Sequence, residues 1–138
     1  MDNLTFLISA VTLAFGAGLG LKGLFDPAWA GKLVRLQPEN GQPEGFAEFR
    51  STLGGMFLGL HLAALICLGV WSGEAGLAAC VILSAGWLFT AGGRYMAYKK
   101  DPDCRHKHVV TSIGIEVVAG VLIAVWPLHQ AFIALFGQ

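Results

Sequence analysis

The feature that most constrains this chain is a succession of apolar runs, residues 4–25, 46–71, 75–98 and 109–126, each near or above the length of a bilayer-spanning helix. Crossing ~30 Å of hydrocarbon takes about 20 helical residues. Inside hydrocarbon every backbone N–H and C=O must find a partner within the protein, which leaves helices and closed barrels as the only spanning structures. None of the runs alternates strictly between apolar and polar residues over the ~10 positions of a barrel strand. The sequence therefore predicts an all-α fold, a four-transmembrane-helix bundle forming one integral membrane domain over residues 1–138. Only 13% of residues are charged, against about 25% in soluble domains. The first run has no Lys or Arg ahead of it and outlasts the apolar stretch of a cleavable signal peptide, so it reads as a retained first helix.

Orientation follows from where the 9 basic residues fall. Lys22, Lys32, Arg35 and Arg50 lie in or beside the first connection, and Arg94, Lys99, Lys100, Arg105 and Lys107 in or beside the third. Lys and Arg are retained on the cytoplasmic side. This predicts both termini on the outer face of the membrane and both long connections on the cytoplasmic side. A formal net charge of zero thus hides a polarised molecule. The basic face reads as a topology signal, or as attraction to anionic lipid headgroups. Membrane lipids are the expected partners, together with a second copy or another membrane protein; nothing points to nucleic acid. Cys67, Cys80 and Cys104 form no spaced pairs and read as free thiols.

In the first connection, Asp26 followed by Pro27 is a helix-start signal. Trp29, Leu33 and Leu36 then recur at i, i+4 and i+7, with Lys32 and Arg35 elsewhere on the surface. That pattern predicts a short helix over about 27–36 lying in the membrane interface, followed by a turn-prone loop rich in Pro, Gly, Asn and Glu. Near the other end, Pro127 predicts the end or a kink of the fourth helix. Residues 128–136 would then form a separate short helix on the outer surface.

The string "GLGLKG" over 18–23 matches the dinucleotide-binding pattern letter for letter. That fingerprint has meaning only between a strand and a helix, and here it ends a membrane-length helical run. A helical wheel explains the glycines better: Thr5, Ser9, Thr12, Gly16, Gly20 and Gly23 fall along one side of the first helix. Small residues let helix backbones approach closely, which matters where leaving lipid gains apolar groups little. On the second helix Gly55 and Gly59 form another such pair, aligned with Glu48 and Thr52. Gly16, Gly20, Gly55 and Gly59 are therefore the expected packing glycines.

Charged residues inside the runs need partners, because an ionised side chain near a helix centre costs about 2.5–3.5 kcal/mol on insertion scales. Glu48 and Arg50, two positions apart, cannot easily pair with each other on a helix. Arg94 sits about one turn inside the third helix and Glu116 about two turns inside the fourth. Either arginine could reach Glu116, leaving Glu48 for the other. These four predict a buried, internally neutral polar layer in the cytoplasmic half. His61 shares a face with Arg50 and Gly54, but about three turns deeper than Arg50. A lone His facing neighbouring helices reads as a hydrogen-bonded core residue.

"AEFRSTLGG" on the second helix, "GRYMAYKKDP" closing the third and the mid-helix Glu of "SIGIEVVAG" together resemble a family of small bacterial four-helix membrane proteins known only as a domain of unknown function. The resemblance spans most of the chain and rests on Glu48, Arg50, Gly54, Gly55, Arg94, Asp101 and Glu116. It implies the fold and the polar positions and supplies no activity. Asp101-Pro102 departs from the Asp-Gly usual at that loop. A looser, architectural likeness is to DoxX-type four-helix membrane proteins.

The third connection contains Asp101, Asp103, Cys104, His106 and His108, all capable metal ligands, with Cys104, His106 and His108 the candidates for a soft metal. They are compressed into a few residues, lack the separated ligand pairs of structural zinc sites and are interrupted by Arg105 and Lys107. A solvated basic loop is the preferred reading, with no metal and no cofactor expected. Two functions follow. In one, the protein is a non-enzymatic membrane component or an accessory, oligomerising subunit, held together by its Glu and Arg side chains. In the other, Arg50, Arg94, Glu48 and Glu116 form a site for a lipid-like or small anionic ligand, with acid-base catalysis or transport as its use.

Overall fold

The computed structural model describes residues 2–40, 42–71 and 73–137. Both terminal residues, Gly41 in the first connection and Ser72 in the expected turn before Ala75 lie outside the described residues. Among the described residues there are helices and no strand: α1 (Asp2–Phe25), α2 (Pro27–Val34), α3 (Gly45–Val70), α4 (Glu74–Lys100) and α5 (Lys107–Phe136), with a 3₁₀ turn at Pro102–Cys104. The helices α1, α3, α4 and α5 are long and apolar enough to cross a membrane.

The distribution of side chains is what lipid, rather than water, selects. Ser9, Thr12, His61, Ser84 and Glu116 are buried, while Phe15, Ile82, Phe89, Phe132 and Leu135 are exposed. A soluble domain could not leave so many large apolar groups outward. In hydrocarbon they lose nothing, and the interior is chosen for close packing and hydrogen bonding instead.

Packing resolves into two units, Met1–Thr12 with Cys67–Gln138, and Leu13–Ile66. In the first, α4 and α5 run antiparallel, with Arg94 against Glu116 and Ser84 against Gly120. Gly76 at the start of α4 lies against the Leu68 backbone and the Trp126 ring. The first turns of α1 join this unit: Phe6 meets Trp126 edge to face at 5.7 Å.

Of the two expectations at Pro127, an end or a kink of the helix, the structure overturns the end, and Ser9 explains how α5 continues. The helix runs on through it to Phe136, so residues 128–136 are not a separate element. Proline has no N–H for the carbonyl four residues earlier, here that of Ile123. The buried Ser9 hydroxyl donates to that carbonyl at 2.9 Å, approaches the Leu122 carbonyl at 3.2 Å and accepts from the Trp126 N–H at 3.2 Å. A neighbouring helix thus supplies the donor that the proline lacks.

In the second unit the rest of α1 packs antiparallel on the first half of α3. A Cβ on Gly16 would collide with the His61 ring, and one on Gly20 with the Leu58 backbone. At Gly23 it would stand 2.9 Å from the Leu53 carbonyl oxygen. On α3 the matching glycine is Gly54, where a Cβ would come within 2.6 Å of the Leu24 Cα. Gly55 and Gly59, the expected pair, pack on no other described helix of this chain: a Cβ would meet only its own helix's Arg50 carbonyl at 3.6 Å in the first case and nothing within 4 Å in the second. The reason is local. Over Phe49–Met56 the helix opens into wider π turns, and the hydroxyls of Ser51 and Thr52 both donate to the Glu48 carbonyl, at 3.1 and 2.5 Å. Side chains that compete for backbone acceptors bend and widen a helix, so a wheel at constant pitch assigns the wrong glycine to the contact.

The short α2 starts where its sequence indicates and ends at Val34, two residues before the expected Leu36. Asp26 caps it, accepting from the Trp29 N–H at 2.9 Å, and Pro27 occupies the first turn. Ala30 and Gly31 are buried, the latter beside the Phe49 ring, while Leu33 and Leu36 face outward.

Candidate functional site

The chemistry-bearing side chains fall in both units. In the first, Arg94 Nε donates to Glu116 Oε1 at 2.6 Å, the only ion pair among the described residues. The two positions meet because α4 and α5 are antiparallel and each places its charge inside the same end of the hairpin. Glu116 is 6% exposed. Gly120, one turn along α5, lets the Leu88 side chain lie directly on the backbone, and Ser84 Oγ donates to the Gly120 carbonyl at 2.8 Å. Charge-assisted contacts of this length are among the stronger hydrogen bonds. The guanidinium uses a single N–H here rather than the two-pronged fork. Glu116 Oε2 is left buried with no hydrogen-bond partner among the described residues.

In the second unit Glu48 and Arg50, expected in a buried layer, are exposed. Both lie in the first two turns of α3. Arg50 Nη1 donates to the Leu24 carbonyl at 2.6 Å. It therefore acts as a cap on α1, whose last carbonyls have no partner within the helix and carry the negative end of its dipole. Arg105 does the same for α4, with Nε on the Tyr98 carbonyl at 3.3 Å and Nη2 on the Lys99 carbonyl at 3.2 Å.

His61 is 1% exposed and lies in the notch left by Gly16, its ring tilted over Phe57 at 4.3 Å. Its Nδ1 stands 2.7 Å from the Phe57 carbonyl. A carbonyl only accepts, so Nδ1 carries a proton. That is the geometry of a core histidine tied to its own helix.

Cys104 lies on the 3₁₀ turn, His106 precedes α5 and His108 is in its first turn. Among the described residues no three His, Cys, Asp or Glu side chains converge as a metal group would require. The sequence did not single out Ser84, marked Arg105 only as a basic loop residue and Ser9 only as a small one. The signal available was a hydroxyl on the buried stripe of an apolar helix.

Fold and contacts together define a class: an all-α chain with four helices able to cross a membrane, whose polar side chains bond from one helix to the next. No protein-family description matches the chain, and no curated protein or solved structure matches it.

Proposed function

We propose that this is a small polytopic protein of the bacterial inner membrane, a non-enzymatic component or accessory, oligomerising subunit whose polar side chains fasten its helices. The observation that carries this is where those side chains end. Arg94 reaches Glu116, Arg50 the Leu24 carbonyl, Ser9 the Ile123 carbonyl and Ser84 the Gly120 carbonyl. Each is a tie between helices. The one-sided basic residues orient it with both termini outside, and the likeness of its polar positions to small bacterial four-helix proteins agrees with that membrane. An oligomerising role is supported by α4 glycines at which a Cβ would meet nothing within 4 Å of this chain, among them Gly86 and Gly93.

A second reading has its own observation, the unpartnered Glu116 Oε2. A desolvated carboxylate oxygen beside a guanidinium with terminal N–H groups to offer suits a lipid-like ligand carrying a hydrogen-bond donor next to an acceptor or anion.

Native mass spectrometry of the protein released from its own membrane separates the two. The proposal expects more than one subunit and no small-molecule adduct that depends on Glu116. A stoichiometric adduct present in the native protein and lost from a folded Glu116→Gln variant would replace it with the second reading.

A further inference from the structure

Arg35 is the only described non-glycine residue with a positive φ, at 60°. With ψ at 36° it sits in the left-handed region and ends α2. The N–H of Leu36 returns to the Gly31 carbonyl at 2.9 Å and that of Arg35 to the Lys32 carbonyl at 3.3 Å. This is the helix stop at which glycine is ordinarily found, since a side chain is disfavoured there. A bulky side chain in this conformation is uncommon, and such outliers collect at functional sites.

A cleft of about 330 Å³ lies against that stop, lined by Lys32, Arg35, Leu36, Pro38 and Phe46 among others. Among the described residues the side chains of Lys32 and Arg35 have no ion-pair or hydrogen-bond partner. Lys22 is instead occupied over the Trp29 ring, 4.5 Å from its centroid, and Glu39 accepts from Gln42. Of the apolar side chains lining the cleft, Leu36 and Phe46 are exposed. So the site offers two cations beside an apolar rim, directly after the end of a membrane-length helix.

We infer that the cleft between α2 and the loop that follows it binds the headgroup of an anionic phospholipid. The phosphodiester lies between Lys32 and Arg35, and the glycerol and first methylenes lie along Leu36 and Phe46. A free phosphate would satisfy the cations and leave the rim uncovered; a zwitterionic lipid would bring its own cation against them. The inference rests on the reading that the chain spans a membrane.

The test is titration of the detergent-solubilised full chain with short-chain phosphatidylglycerol, short-chain phosphatidylcholine and inorganic phosphate in turn, read by native mass spectrometry. One phosphatidylglycerol is expected to bind in preference to both other probes. Removing one basic group should weaken it about fivefold, and removing both about 25-fold. Arg35→Gly is the informative variant, because it relieves the left-handed residue and should fold at least as well as the native chain; Lys32→Gln is the second. Equal binding of the two lipids, binding of phosphate alone, or unchanged phosphatidylglycerol affinity in the folded Arg35→Gly, Lys32→Gln double variant would overturn the inference. Failure of the membrane reading would show separately, as a chain that stays monodisperse without detergent.

Discussion

Ser9→Ala removes one oxygen from a fully buried position, and its effect follows from the backbone of a helix more than a hundred residues away. In the native chain the Ile123 carbonyl has no helical donor, because residue 127 is proline, and Ser9 Oγ donates to it at 2.9 Å. Alanine leaves that carbonyl unsatisfied and takes from the Trp126 N–H the acceptor it has at 3.2 Å. An orphaned buried polar group costs about 1–3 kcal/mol. Interhelical hydrogen bonds within membranes average about 0.6 kcal/mol and reach about 1.7. An expected loss of about 1–2 kcal/mol lies where these ranges meet. The mechanism, rather than the loss alone, is tested by repeating the substitution in Pro127→Ala, where an N–H returns to face Ile123. Ser9→Ala should then be milder by about 1 kcal/mol, a coupling that a double-mutant cycle isolates. The assay is reversible unfolding in mixed micelles followed by far-ultraviolet circular dichroism. Equal costs in the two backgrounds would refute the idea that the hydroxyl stands in for the missing proline donor.

Other consequences follow from the same geometry. Gly20→Ala and Gly54→Ala should each destabilise by the ~1–3 kcal/mol typical of overpacking, because the added methyl meets backbone that cannot move aside, at Leu58 and Leu24 respectively. Gly59→Ala, with nothing within 4 Å, should stay within about 0.5 kcal/mol; thermal unfolding of the three side by side checks the ranking. Asp26→Ala should cost about 1 kcal/mol by removing the α2 cap. Amide exchange at Trp29, whose N–H the carboxylate holds, should accelerate in that variant.

Much of the architecture was legible because lipid makes a single demand, that every backbone group find its partner inside the chain. Run length therefore located α1, α3, α4 and the first part of α5. Pro127 was misleading for a physical reason: what rescues a proline in a membrane helix is a donor on a different helix, and Ser9 is 114 positions from the carbonyl it serves. The choice between Gly54 and the Gly55, Gly59 pair turned on helix pitch, and pitch is altered here by Ser51 and Thr52, residues whose hydroxyls can bond backwards but do not announce that they will. For Arg94 and Glu116, depth within the helices made them possible partners and left Arg50 equally eligible. What separated the two arginines was the carbonyl of Leu24, an α1 terminus that only the folded chain brings to Arg50.

The most direct test of the proposal that these polar groups are fastenings is a cycle of Arg94→Gln, Glu116→Gln and the double replacement, with unfolding free energy and helix content measured for each. Breaking a fully buried pair costs about 3–5 kcal/mol; about 1–3 is expected here, since the Arg94 side chain is 34% exposed. The double variant should be no worse than the poorer single one. Singles that unfold like the native chain, with no coupling between the positions, would contradict a structural role for the pair.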